Sequence, residues 1–308
     1  MKAAPFSYAR PSSIAEVCEL LASADADVRI VAGGQTLIPL MAMRLARPSL
    51  LVDINWIPEL KGIEAGEHQL AIRACTRQAS AERDECVARD LPLLLKALRF
   101  VGHPPTRARG TIGGSIANAD PAAEIGLVAA VLDARVKLTG LVGTQCVSRM
   151  VPAREFVEGP MQTAREDFEL LEEACFPVWD AGGHVGAGFQ EVAVRDGDFA
   201  LVAAAAQVSM NAEGTCERIA FGVTNAAVTP VCADQATARS LIGTRLTAVD
   251  IQAAAHALDD RLNPPNDLHA NAAYRRHLVP HLLVRALTEA RDEAHVEARD
   301  DAPEVAGA

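Results

Sequence analysis

Two glycine-bearing stretches carry the residues whose types and spacing could do chemistry. One is Ala32-Gly33-Gly34-Gln35-Thr36; the other runs from Ala108 to Pro121 and holds Gly110, Gly113 and Gly114. Adjacent glycines let a backbone reach φ > 0 and approach a ligand closely. Successive N–H groups in such a turn form a concave anion site. The chemistry on offer is therefore the gripping of one phosphate-bearing cofactor between two loops. Neither stretch fits GxGxxG, and no Gly-Lys-Ser/Thr follows, so the Rossmann and P-loop fingerprints are unmet. Asp53, at the end of the next strand, imitates the ribose-binding acid of a Rossmann unit, but the glycine pattern is wrong for one.

The remaining chemical inventory is thin. There is no Gly-x-Ser-x-Gly elbow and no HExxH. His277 and His281 have i, i+4 spacing but no acidic third ligand nearby, which reads as a solvated helix face. The seven cysteines show no CxxC or CxC spacing, so disulfides, structural zinc and an iron–sulfur cluster in this chain are not expected. Glu124 has two readings: a helix-start carboxylate favoured by the dipole, or an acceptor for a ribose or ribityl hydroxyl.

The elements that must position these groups follow from periodicity. Ser13 and Glu16 mark a capping box for a helix through Ala22. Val28 to Ala32 and Leu50 to Ile54 read as strands, with a helix from Thr36 to Leu45 between them despite Pro39. That is a small βαβ unit with a glycine turn after its first strand. His68 to Arg73 alternates like an exposed antiparallel strand, and helices are expected over 79–89 and 91–100. Asp120-Pro121 reads as an N-cap with Pro at the first helical position, opening a helix to Leu132. Strands are expected at 134–138, 146–152, 170–176, 201–210 and 218–223, the last pair joined by a turn at 211–214. Helices follow over 232–241, 248–258 and 272–288. The division is 1–56, 57–178, 179–290 and a frayed polar tail over 291–308.

Composition narrows the class. The chain has 308 residues, 50% hydrophobic and only 4% aromatic, with a net charge of −11. That balance and the absence of a dense Lys/Arg run exclude a nucleic-acid binder. No signal peptide opens the chain and no apolar run is long enough to span a bilayer, so a cytoplasmic protein is expected.

Taken together, the motifs resemble the FAD-binding medium subunit of molybdenum hydroxylases, the xanthine dehydrogenase and aerobic carbon monoxide dehydrogenase family. AGGxxLxP is met by Ala32 to Pro39, and TIGGxxAxxDPxxE/D by Thr111 to Glu124. Glu158-Gly159-Pro160, Leu170-Leu171 before Pro177, Gly197-Asp198-Phe199-Ala200, Tyr274 to Leu278 and Arg285-Ala286-Leu287 continue the likeness. The resemblance implies an α+β (α/β) fold. A two-part FAD-binding region of the vanillyl-alcohol-oxidase-like type precedes a C-terminal three-stranded antiparallel sheet with helices.

It further implies that Ala32, Gly33, Gly34, Gln35, Thr36 and Leu37 form the first half of a pyrophosphate cradle. Thr111, Ile112, Gly113, Gly114 and Ser115 would complete it. Val101 would pack near the flavin, Glu124 would take a hydroxyl, and Leu171 would lie against the adenine or ring system. Gln190 stands near the flavin where relatives often carry Lys, and Asp120 caps a helix. The implied chemistry is electron transfer: a large molybdopterin subunit oxidises substrate and a small subunit relays electrons through two [2Fe–2S] clusters. FAD in this chain then passes them to an external acceptor. The implied assembly is a dimer of heterotrimers. The alternative is a stand-alone FAD-dependent oxidase or reductase of related fold, which would need its own acid/base groups around a substrate pocket.

Overall fold

The computed structural model describes residues 2–23, 27–179 and 183–300, with side chains through residue 295. The first sheet is parallel, in the order β1-β3-β2, from β1 (Ser7–Ala9), β2 (Val28–Val31) and β3 (Leu50–Asp53). Helices α1 (Ile14–Ala22) and α2 (Leu37–Ala42) connect its strands. Ser13 caps α1, its hydroxyl accepting from the Glu16 amide at 3.2 Å. The Glu16 carboxylate reaches one residue further back than a capping box requires, accepting from the amide and hydroxyl of Ser12 at 2.7 and 3.0 Å. α2 tolerates Pro39 because the first turn of a helix has no intrahelical acceptor for its N–H groups.

The second sheet is antiparallel, ordered β4-β5-β10-β6-β7. Its strands are β4 (Ile63–Ala65), β5 (Gln69–Arg73), β6 (Arg135–Val142), β7 (Gln145–Pro152) and β10 (Glu169–Pro177), with a small side hairpin of β8 (Val157–Gly159) and β9 (Gln162–Thr163). β5 is not the exposed strand that its alternation implies; it lies between β4 and β10 with Leu70, Ala71 and Ile72 all buried. Seven helices accompany this sheet: α3 (Gln78–Ala81), α4 (Glu85–Asp90), α5 (Pro92–Leu98), α6 (Pro104–Arg109), α7 (Ile112–Asn118), α8 (Glu124–Val131) and α9 (Ala153–Phe156). Adjacent residues of β10 serve opposite faces: Leu170 packs with Val17 and Val52 of the first unit, Leu171 with the helical core. α8 is apolar nearly all round, as a helix enclosed between layers must be, and packs on the third sheet as well.

That third sheet is antiparallel: β11 (His184–Ala193), β12 (Ala200–Met210), β13 (Cys216–Thr224) and β14 (Val231–Cys232). The resemblance implies three strands; the two-residue β14 adds a fourth at the edge. The helices α10 (Gln235–Leu241), α11 (Ala248–His256) and α12 (Ala272–Asp300) complete it. β12 is buried along its whole length and is mostly alanine and valine, which lets layers close on both faces. β11 meets α12 through glycine: a Cβ on Gly186 would strike the Ala290 carbonyl oxygen and one on Gly188 that of Ala286. This seam carries the helix past 291, where a frayed tail is expected from the sequence. α12 continues to Asp300 with Ala290 and Ala294 fully buried; residues 301–308 lie outside the described part.

Candidate cofactor site

The first glycine stretch lies at a strand-to-helix junction. β2 ends at Val31, the chain turns at Gly34 (φ +70°), and α2 begins at Leu37. Among the described residues, no hydrogen bond takes up the amides of Gly33, Gly34, Gln35, Thr36 or Leu37. These are five successive donors at the positive end of a helix, the arrangement that binds anions. The Leu37 side chain turns away from them and packs against the cluster of Val31, Met41 and Leu51. Asn55 holds the stretch from behind, its side-chain amide donating to Ala32 O at 2.6 Å. Asp53 orients Asn55, accepting from its side chain at 2.7 Å and its backbone at 2.9 Å, and accepts from Tyr8 at 2.6 Å. Its two oxygens therefore serve the scaffold, which ends its imitation of a Rossmann ribose acid.

The second stretch is not a loop. Thr111 is the N-cap of α7, and Gly113 and Gly114 are its second and third residues. The Thr111 hydroxyl accepts from the Gly114 amide at 3.0 Å. The Ile112 and Gly113 amides donate to the carbonyls of Thr76 and Ala74, both at 3.0 Å, and the Ser115 amide to that of Thr111 at 3.1 Å. The expectation that the glycine amides here complete the cradle is thus corrected: their donors are spent inside the protein. Gly113 is glycine because Ala74 presses on it, with Ala74 Cα 2.5 Å from where a Cβ would stand. What α7 offers a ligand is the half-buried Ser115 side chain, which makes no hydrogen bond among the described residues, and close approach at Gly114.

The structure brings both stretches together. A Cβ on Gly33 would lie 2.6 Å from Arg109 O and 2.8 Å from Gly110 Cα, and one on Gly114 would lie 3.7 Å from Ala32 Cβ. Arg77 ties them: one guanidinium nitrogen donates to Asn55 Oδ1 at 2.7 Å and the other to Arg109 O. The Gln78 amide donates to Gly110 O at 2.9 Å, and the Gln78 side chain fills the space where a Gly110 side chain would be. The exposed Arg109 side chain makes no ion pair or hydrogen bond among the described residues. Sequence reasoning missed Asn55, Arg77 and Gln78. Asn55 carried a weak signal, directly following the strand end, whereas Arg77 and Gln78 become visible only once β5 brings them beneath Gly110.

Four expected residues lie deeper. Val101 is buried beside Phe100, whose ring lies 5.0 Å from that of Phe189 on β11, tilted by 44°. Leu171 is 4% exposed in the same core as Ile112 and Ile116, where it supports α7 from beneath. Asp120 does not cap α8. Its carboxylate accepts from the Ala122 amide at 2.9 Å, and the helix begins three residues later than expected, with Glu124 first. Thr224 explains the delay: its hydroxyl donates to Pro121 O at 2.5 Å and holds that carbonyl outside the helix. Glu124 is buried, and burial, with the Asp120 charge adding, pushes its carboxyl up to about 7. Gln190 turns to the α12 side and donates to Glu289 at 2.8 Å, within a network where Lys96 pairs with Glu289 at 2.7 Å and Glu293 at 3.0 Å.

A row of free amides at a helix start, closed by a second backbone that admits no Cβ, fits the pyrophosphate of a dinucleotide cofactor. The site and the three-sheet fold are those of a protein suited to hold a nucleotide cofactor. Residues 4–179 match the family described as the FAD binding domain in molybdopterin dehydrogenase, and residues 187–290 the CO dehydrogenase flavoprotein C-terminal domain. The chain belongs to this family of FAD-binding subunits of molybdenum hydroxylases, and is an oxidoreductase subunit. It is 37% identical to the 6-hydroxypseudooxynicotine dehydrogenase complex subunit alpha of Paenarthrobacter nicotinovorans, over 96% of this chain and 97% of that one. It is 35% identical to the carbon monoxide dehydrogenase medium chain of Afipia carboxidovorans, over 94% and 98%. Among solved structures, quinoline 2-oxidoreductase from Pseudomonas putida 86 superposes with a TM-score of 0.87 at 34% identity, covering 96% of this chain and 99% of that one.

Proposed function

We propose that this chain holds FAD with its pyrophosphate on the Gly33–Leu37 amides and serves as the exit for electrons from a molybdenum hydroxylase complex. The observation that carries the reading is the run of five unpartnered donors at the start of α2, walled by Arg109 and Gly110. Thr111 and Ser115 supply hydroxyls at the second wall, and Arg109 supplies a cation beside it. Glu124 takes a hydroxyl of the cofactor, and Val101 with Phe100 and Phe189 excludes water from the inner side. When bound, FAD accepts an electron pair and releases it to an acceptor. The protein's part is to place and orient the cofactor and to keep its inner side dry.

The partners in this reading are a large molybdopterin-binding subunit and a small subunit with two [2Fe–2S] clusters, arranged as a dimer of heterotrimers in the cytoplasm. The relatives' names, a dehydrogenase complex subunit and a medium chain, support it. No described helix is long and apolar enough to cross a membrane. The test is purification of the chain with its co-expressed partners, followed by quantitation of FAD, iron and molybdenum. The reading expects one FAD and four irons per copy of this chain. FAD without iron or molybdenum in the purified species would favour a stand-alone flavoenzyme instead.

A further inference from the structure

The seven cysteines are free thiols, and two of them, far apart in sequence, meet in the fold. Cys18 lies on α1, and Cys146 lies on β7, the edge strand of the second sheet. One face of that sheet brings them together. Thr139 of β6 stands opposite Ser148 of β7, their hydroxyls 2.9 Å apart, and opposite Leu170 of β10. Directly opposed residues share a face, as do residues two apart on one strand, so Thr139, Ser148, Leu170 and Cys146 all lie on it. α1 covers this face: Val17 packs with Leu170, and the Cys18 thiol donates to Thr139 O at 3.6 Å. The Cys18 thiol is also in hydrogen-bonding contact with that of Cys146. Cys18 is fully buried and Cys146 is exposed, so Cys146 closes over Cys18 from the solvent side.

We propose that Cys18 and Cys146 are a peroxide-responsive pair that closes to a disulfide and ties α1 to the edge of the second sheet. The open Cys146 sulfur reacts first. Its thiolate attacks hydrogen peroxide: an S–O bond forms, the O–O bond breaks, and the departing hydroxide takes up a proton and leaves as water. Cys18 then attacks the resulting sulfenic acid: an S–S bond forms, the S–O bond breaks, and the Cys18 proton leaves with the hydroxyl as a second water. Two thiols give up two electrons and two protons, and one peroxide becomes two waters. The order follows from burial, which, with Cys146 and Glu172 adding, pushes the Cys18 thiol up to about 12 and keeps it from meeting an oxidant as a thiolate. Both glycine stretches lie between Cys18 and Cys146 in the chain. The bond therefore closes a loop that contains both walls of the cofactor site and restrains the unfolded chain. That effect is the same whichever cofactor the walls hold.

The test is treatment of the full chain with hydrogen peroxide, followed by alkylation of the remaining thiols, peptide mass spectrometry without reductant, and thermal melting. Wild type should yield a peptide pair joined through Cys18 and Cys146, lighter than its separate parts by the two hydrogens lost. It should also melt about 5–10 °C higher than before treatment. Dithiothreitol should reverse both changes. Cys146→Ser, at an exposed position, should fold as wild type does, form no such link and gain no melting temperature. Cys18→Ala should leave Cys146 as a sulfenic acid or its further oxidation products. Wild type whose Cys18 remains a thiol, whose Cys146 links two copies of the chain, or whose linked form melts no higher than the reduced one overturns the inference.

Discussion

Replacing Gly33 with Ala places a methyl group 2.6 Å from Arg109 O and 2.8 Å from Gly110 Cα, both backbone atoms with no side-chain freedom to escape. Carbon atoms rest at about 3.5 Å or more, so Gly110 must withdraw by roughly 0.7 Å. Gly110 is held by the Gln78 amide at 2.9 Å, and Arg109 by Arg77, so the movement strains the tie between the two walls. Overpacking of this kind costs about 1–3 kcal/mol, which lowers the melting temperature by about 2–4 °C for each kcal/mol in a chain of this order of size. The larger effect falls on the cofactor. Losing one hydrogen bond to a charged phosphate costs about 1.5–3 kcal/mol, a roughly ten- to hundredfold rise in the FAD Kd. Calorimetry on the flavin-free chain gives the first number and fluorescence titration the second. Gly126→Ala in α8 is the control: its Cβ meets only Ala123 Cβ at 3.9 Å, and it should gain about 1 kcal/mol from helix propensity. A Gly33→Ala chain with wild-type melting and an FAD Kd within about twofold of wild type would refute the two-wall geometry.

Other outcomes follow from the same contacts. Glu124→Gln should stabilise the flavin-free chain at pH 8 by up to roughly 3 kcal/mol, because the folded carboxyl titrates at about 7 against an ordinary 4.5. Wild type keeps its full stability below pH 4.5 and loses it as pH rises through 7, whereas the amide has no such loss; parallel urea curves at pH 5 and pH 8 measure the difference. Asn55→Ala removes the donor to Ala32 O and the acceptor for Arg77. It should cost about 1–3 kcal/mol and weaken FAD binding, and an unchanged Kd would show that the first wall stands without its prop.

The strand-turn-helix at Gly33 was legible because one apolar strand runs directly into paired glycines and a helical pattern. The same signal predicts a turn in the second stretch, where the chain forms α7 instead. Gly113 is present for Ala74, which sits 39 residues earlier in the chain and meets α7 only through the fold. The start of α8 was misplaced for a similar reason. Asp120-Pro121 is a sound local signal, but Thr224, on a different sheet, captures the Pro121 carbonyl. The segment after 291 looked frayed because its residues are polar and Ala-rich, and only the glycines of β11 make alanine the right size there. The partner of Gln190 is not legible in the sequence because both faces of β11 are covered, so hydrophobic alternation does not mark which side meets α12.

The double duty of β11 also bears on how such a chain can change over generations. Substitutions at Val192 or Ala193 alter one face and leave the other alone. A single-codon deletion between Gly186 and Gln190 would move every residue before it across the sheet. Residues shaped for the core would then face α12, and the glycine seam would open onto the core. One lost residue would thus damage the packing on both faces of the strand together. Length variation among descendants of this chain is expected in the turn at 194–198, where Val194 is exposed and the chain already reverses, and not within the strand that precedes it.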